Sequence, residues 1–193
     1  MKPWVFFVAL SAIASNTHAD THAELMVEAS ALASEFIGQL KPQLKAAMSE
    51  GGPVRAIEVC ATSAPAIADA LSTSSGWHVR RVSLRQRNAS RAVPDTWEQT
   101  VLQDFDRRQA DGEAASELYQ DDWQPARYRF MRAQETGAIC LVCHGDNVSS
   151  EVRAALHDYY PQDLARGYQL GQVRGAISLI KPLQETCRPD IEC

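Results

Sequence analysis

The chain has 193 residues, 45% hydrophobic and 22% charged, and a formal net charge of −5. That length suits one compact domain with a real core and is short for two. A mildly acidic chain is a poor candidate for nucleic acid or an anionic membrane surface.

In chain order, Lys2 is a short positive region and Trp4 to Ile13 is an apolar stretch centred on Phe6, Phe7, Val8 and Leu10. Thr17-His18-Ala19 ends in the small residue that signal peptidase favours, so residues 1–19 read as a signal peptide cleaved after Ala19. The apolar run is too short to span a bilayer, and nothing after it approaches a span. Loss of Lys2 with the leader takes the net charge from −5 to −6. The expected location is periplasmic, with no stable membrane insertion.

Residues 24–48 read as a helix, with Leu25, Ala29, Leu32, Phe36, Leu40 and Leu44 at helical spacing. Pro42 predicts a kink or an end. Gly51-Gly52-Pro53 breaks the chain, and Pro53 suits the first turn of a second helix. Its stripe is Ile57, Cys60, Ala64, Ile67 and Leu71, with a bend expected at Pro65. Trp77 to Leu84 reads as a strand, with Trp77 and Val79 on one face and Val82 and Leu84 on the other. Gln86 to Pro94 is a polar loop. Pro94-Asp95 opens a helix to about Arg108, with Trp97, Val101, Leu102 and Phe105 on its apolar side. Asp111-Gly112 is a turn and Tyr128 to Ala133 a strand. A short helix is expected over 150–156, a loop over 158–171 and an apolar strand over 175–183. The order predicts an α+β fold, an antiparallel sheet partly covered by helices. The domain is expected over 20–186, with a short tail over 187–193.

The arginines at 80, 81, 85, 87 and 91 cluster. They read either as a solvated strand face and loop or as a site for a small anion or carboxylates such as haem propionates, with Arg81 and Arg87 as the contacts.

Five cysteines are present: Cys60, Cys140, Cys143, Cys187 and Cys193. Export makes disulfides feasible, and Cys187 and Cys193 are near enough in sequence to bridge. Cys140-Leu141-Val142-Cys143-His144 is the pattern that attaches haem c. Each thiol adds to one vinyl group of the porphyrin, and the adjacent histidine ligates the iron. Three other readings compete. A thioredoxin-like dithiol usually lies early, after a first strand, and this motif lies late. A zinc site with Cys60 would need adjacent Cys143 and His144 to serve one tetrahedral ion. The third is a structural disulfide.

No methionine follows His144, so the second iron ligand must come from elsewhere. The candidates are Met26, Met48, Met131, His22, His78, His157 and Cys60. Cys60 is the odd thiol on an apolar helix face. It is either an inert core cysteine or a ligand.

Several ordered blocks carry a wider resemblance. They are Ala56-Ile57-Glu58-Val59-Cys60 with Ala64-Pro65; Arg80-Arg81-Val82-Ser83-Leu84; Arg87-Asn88; Pro94-Asp95-Thr96-Trp97-Glu98; Cys140 to Gly145; Tyr160 to Tyr168; and Gly171 to Ser178. Over residues 24–183 the chain resembles a family of exported haem c proteins with a PAS-like fold, found as free periplasmic proteins and as sensor ectodomains. The resemblance implies one covalent haem c with His144 and Cys60 as axial ligands. Ala89-Ser90-Arg91 departs from the family's usual proline and second asparagine, and Gln172 stands where an aspartate is usual.

A thiolate ligand favours ferric iron and lowers the potential, and two strong protein ligands leave no open position. The expected role is electron transfer, or sensing of redox state or a small ligand, with an unidentified redox partner. The alternatives are a haem enzyme oxidising sulfur compounds and a non-haem dithiol oxidoreductase.

Overall fold

The structure, a computed structural model, describes residues 17–183. The signal-peptide reading over 1–16 and the Cys187 and Cys193 tail lie outside the described residues.

The fold is α+β. Helix α1 (Thr17–Ser75) consists of two arms, 17–51 and 53–75, joined at Gly52 with φ 67° and ψ −163°. A positive φ suits glycine and few other residues, and Pro53 then opens the second arm. The helix does not end at Pro42, and the backbone is helical both there and at Pro65. Proline removes one backbone hydrogen bond in each arm, but each arm buries an apolar stripe, and that packing holds the helix through the defect. Ala29, Leu32, Ala33, Phe36 and Leu40 from the first arm share one core with Ala64, Ile67, Ala68 and Leu71 from the second.

That core is completed by one face of a four-stranded sheet. The strands are β1 (His78–Val82), β2 (Tyr119–Gln124), β3 (Arg127–Glu135) and β4 (Val173–Pro182). Their order is β1-β4-β3-β2 and every pairing is antiparallel. Trp77, Val79, Tyr128, Phe130, Ile177 and Leu179 face α1. Val82, Met131, Ala133 and Ala176 face the other way, against Val101, Leu102 and Phe105 of α2 (Thr96–Ala110). The alternation expected for the first strand is therefore present. Strand β2 has no counterpart in the sequence reading. Tyr-Gln-Asp-Asp-Trp-Gln lies at a sheet edge, where polar residues are tolerated and apolar alternation is lost.

Helix α2 starts with a capping box. Asp95 accepts from the Glu98 backbone at 2.9 Å, and Glu98 accepts from the Asp95 backbone at 2.8 Å. The fully buried Glu98 carboxylate also accepts from Arg80 at 2.8 Å and from Ser178 at 2.6 Å. This ties α2 to β1 and β4.

Strands β3 and β4 are neighbours, yet residues 136–172 separate them. The neck of this long excursion is pinned by Thr136 N–H to the Gln172 carbonyl at 2.8 Å and by Gly171 N–H to the Thr136 carbonyl at 2.9 Å. Gly175 sits just beyond the neck at φ 154°, and a Cβ there would lie 2.4 Å from the Val82 carbonyl oxygen. Gly175→Ala is expected to cost about 1–3 kcal/mol through this overpacking, read as a lower midpoint in urea unfolding.

Candidate functional site

The excursion between β3 and β4 carries the Cys-x-x-Cys-His motif. A 3-10 turn, Ala138–Cys140, runs directly into the single-turn helix α3 (Leu141–His144). In a helical turn, positions i, i+3 and i+4 share a face. Cys140, Cys143 and His144 therefore point the same way, and all three line one cavity. Gly145 ends the turn where a Cβ would lie 2.7 Å from the Leu141 carbonyl oxygen. Helix α4 (Ser150–Tyr159) follows, and Val152, Ala155 and Leu156 pack on Ile57 of α1. Cys143 packs against the same cluster.

The cavity has a volume of about 680 Å³ and lies between α1 and the α1-facing side of the sheet. That is within the range of ~300–1,000 Å³ usual for small-molecule and cofactor sites. Its walls include Leu40, Leu44 and Met48 from the first arm of α1, and Ala56, Cys60 and Ala64 from the second. The apolar stripe that carries Cys60 thus serves two purposes: Ala64, Ile67 and Leu71 fill the core, while Cys60 borders the cavity together with Cys140 and Cys143. None of these three cysteines is in a disulfide.

His144 is held by the segment that follows it. Its Nδ1 lies 2.8 Å from the Ala165 carbonyl oxygen. A carbonyl only accepts, so Nδ1 carries the hydrogen and Nε2 keeps its lone pair. Burial, reinforced by the cationic Arg174 and Arg87, pushes the imidazole well below its ordinary pKa. It is the neutral form, the one that ligates a metal, that is favoured at neutral pH. Tyr168 N–H donates to the His144 carbonyl at 2.9 Å, and its ring meets the imidazole edge-on at 6.1 Å.

Arg87 and Asp163 lock this arrangement. Arg87 donates to Asp163 through Nε at 3.0 Å, and to the carbonyls of Cys143 and Ala165 through Nη2 at 2.5 and 3.0 Å. It therefore grips the motif and the carbonyl that orients His144. The Asp163 side chain is 2% exposed and also accepts from the Ala165 backbone at 2.9 Å. Asp163→Asn would leave Arg87 as an uncompensated, mostly buried charge. The expected loss is about 3 kcal/mol of unfolding free energy, measured by urea denaturation.

The other arginines divide by position. Arg80 pairs with Glu98, Arg85 stacks on the Tyr168 ring at 3.8 Å, and Arg91 pairs with Asp69 at the surface. Arg81 and Arg174 are different. Arg81 Nε and Arg174 Nη2 both donate to one neutral oxygen, Gln134 Oε1, at 3.1 and 2.9 Å. Among the described residues neither guanidinium has a carboxylate partner, and both line the cavity. Burial pushes both downward in pKa, and for Arg81 the neighbouring Arg174 adds to it. A guanidinium stays charged in proteins, so this corner presents two unneutralised cations to the cavity.

Arg174, Gln134 and Asp163 had no assigned role in the sequence reading. The signal available for Arg174 was a charge inside an otherwise apolar strand. Gln172 accepts from the Gln169 backbone at 3.0 Å and forms a local turn.

The remaining ligand candidates separate by location. Met131 is buried on the α2 side of the sheet and Met26 packs in the α1 core. His22 bonds Asp121 at 2.7 Å, His78 is exposed, and the His157 side chain is 82% exposed. Only Cys60 and Met48 of the set border the cavity.

The competing chemistries find less support in this geometry. A redox dithiol needs a stabilised thiolate, whereas burial raises the Cys143 thiol pKa. Among the described residues no group of three or more His, Cys, Asp or Glu side chains is arranged to hold a metal ion, as zinc with Cys60 would require. Nor, among those residues, is any helix long and apolar enough to cross a membrane.

Sheet, two-armed helix and motif-bearing excursion together define an α+β protein built around one cavity with converging thiols, imidazole and guanidiniums. The chain belongs to the Tll0287-like family, whose model matches residues 11–182. It is similar in fold to the crystal structure of the cyanobacterial heme-protein Tll0287. The two are 24% identical with a TM-score of 0.62, over 87% of this chain and 98% of that one. Comparison with curated proteins gives no match.

Proposed function

We propose that this protein is a periplasmic mono-haem c protein that transfers electrons or senses redox state or a small ligand. One observation carries the reading: Cys140, Cys143 and His144 line the same cavity as Cys60 and the uncompensated Arg81 and Arg174. The donor set suits a haem at every edge. Cys140 and Cys143 would hold it covalently, each S–H adding across one vinyl group with the sulfur on one carbon and the hydrogen on the other. His144, through Nε2, and Cys60, through its sulfur, would be the protein ligands that hold the iron. Arg81 and Arg174 would supply the positive charge that the propionates need. Arg87, read from sequence as a propionate contact, borders the cavity and also clamps the carbonyl that orients His144. The bound haem would supply a one-electron iron centre.

Membership of the Tll0287-like family supports haem binding, since Tll0287 is itself a heme-protein. The antiparallel sheet with α1 across one face is compatible with a PAS-like sensor module. Lys2, the apolar stretch to Ile13 and Thr17-His18-Ala19 support export. The partner would be a redox protein or a small ligand.

The reading is tested by the alkaline pyridine spectrum of protein matured with haem c assembly machinery. Both vinyl groups should be saturated, giving the spectrum of a doubly thioether-linked haem. An unmodified protohaem spectrum, or none, would refute it.

A further inference from the structure

We propose that Met48 is a reserve iron ligand that replaces Cys60 when the haem is reduced. The inference rests on the haem reading above and deepens it.

Three observations meet here. First, Met48 is the only side chain besides Cys60, among the candidates for second ligand, that borders the cavity. It is half-buried and belongs to none of the hydrophobic core clusters. Second, Leu40, Leu44 and Met48 follow one another at i, i+4 and i+8, so one face of the first arm runs along the cavity wall and ends in a thioether. The second arm brings Cys60 to the same cavity, and the two arms share a core. Third, Gly52 stands between them. It is the one non-helical residue inside α1, and a Cβ built there would meet nothing within 4 Å. The two arms are therefore separate helical segments joined through a single non-helical residue.

Ligand chemistry supplies the direction. A thiolate is anionic and favours ferric iron. A thioether is neutral and soft, suits ferrous iron and raises the potential. Methionine has three rotatable bonds, so its sulfur can search a larger volume than a cysteine sulfur can. On reduction, an external one-electron donor supplies the electron. Cys60 leaves the metal, and its sulfur takes a proton from water. Met48 donates a sulfur lone pair at the position released, and the fold retains two protein ligands in both redox states. Exchange of Cys60 for Met48 changes which arm of α1 is tied to the haem. That is a conformational output a sensor requires.

The test uses the matured, haem-loaded full chain and its Met48→Leu variant, a swap of nearly equal volume. Absorption spectra are recorded in the ferric state and after dithionite, followed by carbon monoxide binding. An unchanged ferric spectrum in Met48→Leu shows that the fold and the Cys60 ligand are intact. The wild-type ferrous protein should remain six-coordinate and low-spin. The ferrous variant should lose the low-spin bands, become five-coordinate and bind carbon monoxide faster. Identical ferrous spectra and identical carbon monoxide kinetics in the two proteins would overturn the proposal and leave the haem reading standing. Absence of a thiolate-ligated ferric spectrum in the wild type would instead overturn the haem-ligand reading, and this proposal with it.

Discussion

Alanine at both Cys140 and Cys143 should abolish covalent retention of haem while leaving most of the fold in place. With one thioether link proposed for each thiol, single variants should keep one link and the double variant none. The structural cost is small. Cys140 is half-exposed at the end of a 3-10 turn, and Cys143 lies at the rim of the cluster around Ile57 and Val152. Trimming one partly buried sulfur costs about 1 kcal/mol. His144, Cys60 and the Arg81–Arg174 pair remain, so the double variant can still hold haem loosely. Denaturing electrophoresis with haem staining separates the cases. Wild type and single variants should stain at the chain's position, and the double variant should not. Equal staining of wild type and double variant would show that attachment lies elsewhere.

Cys60→Ala should raise the reduction potential and remove the thiolate signature from the ferric EPR spectrum. The axial ligand tunes haem potentials over a span of about 0.8 V. Loss of an anionic ligand that stabilises ferric iron should therefore shift the potential upward by on the order of 0.1 V or more. Cys60 is half-buried on a helical stripe whose other members are fully packed, so alanine there keeps the helix and empties only the cavity-facing position. Potentiometric titration gives the shift. An unchanged potential and an unchanged EPR spectrum would return Cys60 to the status of a packing residue. Attention would then move to Met48, the other candidate on the cavity wall.

Much of the fold could be read from local pattern. Gly52-Pro53 marks the joint of α1 because a positive φ and a proline first turn are backbone requirements written in residue type. Asp95 and Glu98 mark the start of α2 for the same reason. Trp77, Val79, Val82 and Leu84 alternate, and the sheet does bury their two faces separately. Strand β2 was not legible, since Tyr119 to Gln124 owes its conformation to pairing with β3 and not to its own apolar pattern. At Pro42 the sequence left a kink or an end open, and the fold decides for continuation. Burial of the flanking stripe outweighs a local defect, and burial is a tertiary fact.

The site divides along the same line. Cys140, Cys143 and His144 are contiguous, so their spacing alone places them on one face of a turn. The arginines needed the fold. Arg81, Arg85, Arg87 and Arg91 look alike in sequence and all border the cavity, yet Arg81 has no carboxylate partner among the described residues, Arg85 lies on a tyrosine ring, Arg87 clamps Asp163 and Arg91 pairs with Asp69. Arg174 lies far along the chain from Arg81 and meets it only because β1 pairs with β4 and both reach Gln134 on β3. Long-range pairing of this kind leaves no trace in a window of neighbouring residues.

Covalent haem attachment is tested most directly by the intact mass of the wild-type chain, expressed as the full precursor with haem c assembly machinery and measured under denaturing conditions. The expected species is a chain beginning at Asp20 that carries the mass of one haem, with the adduct on the peptide containing Cys140 to His144. A chain of bare polypeptide mass, with any haem released by the denaturant, would contradict the proposed haem c protein.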